Sequence, residues 1–176
     1  MIKLILLSAL FAYGAEPSWL KTYPVREYGA FWHYDLEVKN LIKNKEKILD
    51  VLNKNGGELT QPLENFPNTK DGKYQQLSYR ISRKGAEKAL QQLKKTISIK
   101  RSSQKDDNSS YIEEATEKLI RLKSDAEAEA DALKRMPAVS ELAGELRSHL
   151  EKVVKSYESS KDRVLLNLVL EEKTVK

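Results

Sequence analysis

Two apolar stripes in the second half of the chain limit its fold more than any other feature. Ile112, Ala115, Leu119, Leu122, Ala126 and Leu133 recur at alternating steps of three and four residues, with Glu129 or Ala130 filling the gap. The pattern resumes through Val139, Leu142, Leu146, Leu150, Val153 and Tyr157. This is coiled-coil spacing, set in a background of Ala, Glu, Lys and Leu. Between the stripes stands Lys134-Arg135-Met136-Pro137, and proline suits the first turn of a new helix. A connection this short forces the arms antiparallel. It predicts a helical hairpin over about 109–162 with arms roughly 40 Å long.

In the first half the period shortens. Residues 31–38 alternate, with Trp32, Tyr34, Leu36 and Val38 on one face, and read as the first strand. Asn40 caps a helix carrying Leu41, Ile42, Ile48, Leu49 and Leu52, stopped by Asn53-Lys54-Asn55-Gly56-Gly57. Residues 58–61 are short and polar enough for an edge strand that Pro62 ends, and 63–73 carry the turn chemistry of Asn65, Pro67, Asn68, Asp71 and Gly72. A third strand over 74–81 points Leu77, Tyr79 and Ile81 inward. Ser82 caps a helix whose inner face is Ala86, Ala89, Leu90 and Leu93, and residues 97–103 follow as a strand. Strand, helix, strand, strand, helix, strand is the split βαβ order, also called ferredoxin-like. The polar run 102–110 reads as a loop that caps the hairpin. Residues 164–170 are apolar on both faces apart from Asn167, which predicts a strand covered on both sides and returning into the sheet. The expected class is α+β: a ferredoxin-like sheet, an inserted long antiparallel helical hairpin and a final strand.

Lys3, the apolar run 4–11 and the small residues Ala12, Gly14 and Ala15 are those of a signal peptide over 1–15, cut before or after Ala15. Residues 16–29, with Pro17, Pro24 and Gly29, follow as an extended leader, and 30–176 form one α+β domain. The chain has no cysteine, which excludes a disulfide framework, thiol catalysis, cysteine-ligated zinc and a lipoprotein anchor. No second apolar run approaches the roughly 20 residues of a membrane span. A soluble periplasmic or secreted protein is expected, with no integral membrane segment after signal cleavage. The formal charge is +5, from 31 basic and 26 acidic residues, an ordinary solvated surface that calls for no nucleic acid partner.

Candidate chemistry is sparse. His33 and His149 lie on different elements without ligand-spaced neighbours. Glu113, Glu114 and Glu117, like Asp125, Glu127, Glu129 and Asp131, alternate with Lys and Ala as on a solvated helix. Ser102, Ser103, Ser109 and Ser110 have no histidine nearby in sequence, and Gly56-Gly57 is a helix stop with no phosphate-loop lysine after it. The aromatic group Trp19, Tyr23, Tyr28, Phe31, Trp32 and Tyr34 would suit an interface, which gains large contact area from such side chains at low entropy cost, but the sequence favours Trp32 and Tyr34 as core and the others as tethering the leader on the sheet. No catalytic, metal or cofactor residue is predicted.

Several segments together carry a resemblance: the strand Tyr34-Asp35-Leu36-Glu37-Val38, Gly56-Gly57 before the next strand, and the alternating Leu77-Ser78-Tyr79-Arg80-Ile81. To these are added 97–103 running into 106–111, and the Ala/Glu/Leu hairpin closing on 164–170. In this order they resemble a bacterial envelope family known as a domain of unknown function, of putative-lipoprotein or anchored-ectodomain type. The chain departs from that family at Ile81-Ser82, where Val-Pro is usual, and at Asp107-Asn108-Ser109, where Asp-Val-Thr is usual. It also lacks the membrane helix that ends many members, which implies release or retention by a partner. The family supplies no agreed activity. The expectation is a non-enzymatic envelope protein that uses its hairpin as an interaction or scaffold arm for an envelope protein partner. A periplasmic holdase chaperone working as a homo-oligomer is one alternative, and a wall- or lipid-acting enzyme another.

Overall fold

The computed structural model describes residues 21, 23–68, 73–107 and 111–173. The predicted signal peptide, Trp19, the loop residues Asp71 and Gly72, and the cap positions Ser109 and Ser110 lie outside the described residues. The elements are β1 (Ala30–Val38), α1 (Leu41–Lys54), β2 (Glu58–Leu59), a 3-10 turn (Leu63–Asn65), β3 (Tyr74–Ser82) and α2 (Arg83–Lys94). They continue with β4 (Ser98–Asp106), α3 (Tyr111–Ala128), α4 (Ala130–Lys134), α5 (Pro137–Ser160) and β5 (Arg163–Glu172).

Local chemistry sets the boundaries. The Asn40 side chain accepts from the Lys43 N–H at 2.9 Å and starts α1, and Gly56, at φ +77°, turns the chain after it. Ser82 Oγ accepts from the Gly85 N–H at 3.1 Å and starts α2. The predicted inward residues of β1, β3 and α2 are buried, and they form one cluster with Ile48 and Leu52 of α1 and with Val164, Leu166, Leu168 and Leu170 of β5.

The protein is α+β, with a five-stranded mixed sheet in the order β2-β3-β5-β1-β4. In a split βαβ sheet the third strand lies beside the first. Here β5 occupies that place, parallel to β1 from Ala30↔Val164 to Val38↔Glu172 and antiparallel to β3. The physical reason lies in composition: β5 places four leucine and valine side chains wholly inside, whereas β3 carries Gln75, Gln76, Ser78 and Arg80. The most apolar strand takes the centre.

Three further expectations are corrected. β5 is buried on one face only: Leu165, Asn167 and Val169 are half-buried, because α1 and α2 both pack on the opposite face and neighbouring strands give these residues partial cover. The polar run 102–106 is not a loop but continues β4, paired with β1 as far as Ala30↔Asp106. A strand at the sheet edge, exposed on both faces, needs backbone pairing rather than apolar side chains. The first stripe also breaks earlier than expected, at Glu129. Between Ala126 and Ala132 it offers only alanines to the seam, and these bury too little to hold a straight helix.

α3 and α5 pack on each other, with Lys123 and Glu151 paired at 3.0 Å across them. Ala115, Leu119, Leu150 and Val153 form a second cluster that shares no residue with the first. Both roots of the segment meet one residue: the Asp107 N–H donates to the Gly29 carbonyl at 3.0 Å, and the Gly29 N–H donates to the Arg163 carbonyl at 2.8 Å. Replacing residues 108–159 by a short Gly/Ser linker is therefore expected to leave a cooperatively melting sheet unit. Leu168→Asp in the full chain is expected to unfold it, since an unpaired charge at a fully buried position costs several kcal/mol out of about 5 to 15. Circular-dichroism melts of both variants decide this, and an unfolded linker variant beside a tolerated Leu168→Asp would reverse the assignment of the core.

Candidate functional site

The leader does not tether to the sheet alone. Tyr23 is buried in the helix-pair cluster, its hydroxyl donates to Glu114 at 2.8 Å, and His149 Nε2 donates to its carbonyl at 3.1 Å. Lys21 pairs with the same carboxylate at 2.6 Å. Lys21 and Tyr23 as donors hold Glu114 below the usual carboxylate range, while burial, then Glu114, pushes the Tyr23 phenol up to about 12.

Arg26 gathers the rest of the root. Its side chain is 6 % exposed and forms an ion pair with Asp107 at 3.2 Å. It donates from Nε to the Tyr28 carbonyl at 2.9 Å and from Nη2 to the Gly29 carbonyl at 3.0 Å. The guanidinium lies 4.5 Å over the Tyr157 ring, and the Arg26 N–H donates to Ser156 Oγ at 2.9 Å. One side chain thus joins the leader, the end of β4 and the last turns of α5. Beside it, Val25, Tyr28, Phe31 and Tyr111 line a shallow cleft. Trp32 and Tyr34 are core, as the sequence assigns them, whereas Phe31 is exposed and packs edge-on against Tyr28.

The sequence-level candidates separate. His33 donates to Asp35 at 2.8 Å on β1, and His149 is engaged by the leader on α5. Sheet register places Ser103 opposite His33, a neighbour that spacing along one strand could not reveal. His33 is 42 % exposed on the uncovered sheet face, where solvent weakens the pairing that activates a nucleophile. Ser102 is also on exposed β4. Glu113, Glu117, Asp125, Glu127, Glu129 and Asp131 are exposed along α3 and α4, and among the described residues no group of three or more His, Asp or Glu could hold a metal ion.

The remaining candidate surface is the far end of the helix pair. Val139 and Leu142, expected in the seam, are 48 % and 57 % exposed, and Met136 is 47 % exposed. The second stripe outruns its cover, since α4 is five residues long and shields only part of it. No described helix is long and apolar enough to cross a membrane. Comparison with protein-family models, with curated proteins and with solved structures finds no match.

Two measurements test the root. A Cβ on Gly29 would stand 2.5 Å from the Lys161 carbonyl oxygen and 2.6 Å from that of Ser160, so Gly29→Ala must part the roots. It is expected to cost about 1 to 3 kcal/mol in denaturant melts. Of the eight tyrosines, Tyr23 and Tyr79 should ionise near 12 against about 10 for an ordinary phenol. Because both folded values are raised, their contribution is whole below pH 10 and is lost as pH climbs through 12. Burial also pushes the Tyr34 phenol up, so absorbance titration should show Tyr23 and Tyr79 among the late-ionising groups, and one late group should vanish in Tyr23→Phe.

Proposed function

We propose that this chain is a non-enzymatic, exported envelope protein in which a ferredoxin-like unit, its last strand intercalated, carries the helix pair as an arm for protein interaction. The observation that carries the reading is the apolar end of that arm, Met136, Val139 and Leu142, held away from the sheet core. An arm with its own small core and a root fixed at Gly29 and Arg26 presents its tip rigidly. The signal-peptide pattern of residues 1–15 and the resemblance to envelope proteins support a periplasmic or secreted location. His33 and Asp35 lie on the open sheet face, His33 42 % exposed, and His149 is taken up by the leader carbonyl, which supports a binding role over a catalytic one.

The same exposed tip favours the holdase as the second reading, because exposed apolar side chains can hold unfolded clients. Site-specific photo-crosslinking in intact cells separates the readings. A crosslinker at Leu142 should trap a discrete adduct in the envelope fraction, while one at Ile42, exposed on α1, should trap none. A smear of many adducts at Leu142 that matches suppressed aggregation of an unfolded β-barrel would favour the holdase. Equal trapping at both positions, or a chain retained in the cytoplasm, would contradict the proposal.

A further inference from the structure

We infer that the outer edge of β4 is a docking surface for an extended segment of another protein with acidic residues four positions apart, added to the sheet as a further strand. The inference is independent of the arm reading, since it uses the sheet and not the helix pair. β4 ends the sheet and is exposed along nearly its whole length. Its phase against β1 is set at one end, where the Asp107 N–H donates to the Gly29 carbonyl and so faces β1. Alternate residues of a strand point their backbone groups to opposite sides. Ser103 and Lys105 therefore turn their N–H and C=O groups to β1, while Ser102, Gln104 and Asp106 turn theirs outward, where no described strand meets them. Such a row of unpaired backbone groups is what an added strand binds. The pairing with β1 orders this row before a partner arrives, which lowers the entropy cost of docking. The register shifts between Asp35 and Leu36, leaving Lys100 as the extra residue, so the regular edge runs over 101–106.

Charge selects the occupant. β4 carries Lys100, Arg101 and Lys105 against the single acid Asp106. Lys100 is taken up by Glu37 at 3.3 Å and Glu171 at 3.0 Å, and Asp106 by Arg83 at 2.8 Å. Arg101 and Lys105 stay exposed, and the nearest carboxylate oxygen to Arg101 is that of Asp35, at 3.9 Å. In register they stand beside Asp35 and Phe31 on the uncovered sheet face, about 13 Å apart with Ser103 between them. A second β4 would bring like charge to this edge. A strand with acidic residues opposite Arg101 and Lys105 instead gains two cross-strand ion pairs. On its other face the added strand meets Ser102 and Gln104, which offer no apolar contact, so a polar segment fits both sides.

The test is an amide NMR titration of the purified full chain at low salt, each variant first checked by a melt. The probes are a short serine and threonine peptide bearing two glutamates four positions apart, and the same peptide with lysine in their place. The amides of Ser102, Gln104 and Asp106 should move with the glutamate peptide while those around Leu142 stay still, and the lysine peptide should bind at least about fivefold more weakly. Ser102→Pro removes one outward N–H and leaves the ladder to β1 intact, so it should weaken binding about fivefold with little change in the melt. Arg101→Glu combined with Lys105→Glu should reverse the preference toward the lysine peptide, a gain that no loss of folding can imitate. Still amides at the edge up to about 1 mM peptide, equal binding of the two peptides, a Ser102→Pro chain that binds as wild type, or a double variant that keeps its preference for glutamate would each overturn the proposal. A chain that dimerises in sedimentation equilibrium and becomes monomeric on Ser102→Pro would give the edge to a second copy and overturn the acidic partner.

Discussion

Everything beyond the sheet hangs on Gly29. Its carbonyl accepts from the start of the helical segment and its N–H donates to the end of it, while the carbonyls of Ser160 and Lys161 fill the space a side chain would take. A residue with a Cβ would hold the two roots apart. Arg26 then locks the joint by bonding the same Gly29 carbonyl, pairing with Asp107 and lying over Tyr157. The guanidinium side of the joint is nearly closed to solvent, 6 % exposed, while the Asp107 side chain keeps 29 %.

The molecule holds two apolar clusters of unequal size. The sheet cluster runs through β1, β3, β5, α1 and α2 and supplies most of the buried area. The helix-pair cluster has five buried members among the described residues, one of them Tyr23 from the leader, so the arm borrows part of its core from the segment before β1. Apolar cover thins with distance from the root: Leu119 and Leu150 are enclosed, Leu146 is half-enclosed, and Val139 and Leu142 face solvent. An arm built this way is firm at the sheet and sticky at the tip.

Much of the sheet unit was legible because its signals are local. Asn40 and Ser82 cap helices through their own side chains, and the alternation in β1 and β3 follows directly from the pleat. Strand order was not legible. Nothing along residues 163–172 distinguishes a strand buried on both faces from a central strand buried on one, and the choice depends on where α1 and α2 pack. The length of β4 was hidden because an edge strand pairs by backbone, so Ser102 to Asp106 look like a loop. The roles of Tyr23 and Arg26 lie in contacts more than 90 residues apart in sequence, with Glu114 and Ser156. A lone tyrosine and arginine among prolines give no sign of that. The stripe's periodicity matches the burial of Ala115, Leu119, Leu150 and Val153 but carried no information on how far its cover extends.

Native-state hydrogen exchange on the full chain tests the two-cluster account most directly. Amides of β1, β3 and β5 should share one opening free energy equal to that of global unfolding. Those of α3 and α5 around Leu119 and Leu150 should open separately at a lower value, and Gly29→Ala should lower the second value more than the first. A single opening free energy common to the sheet and the helix pair would show one cooperative core and contradict the account.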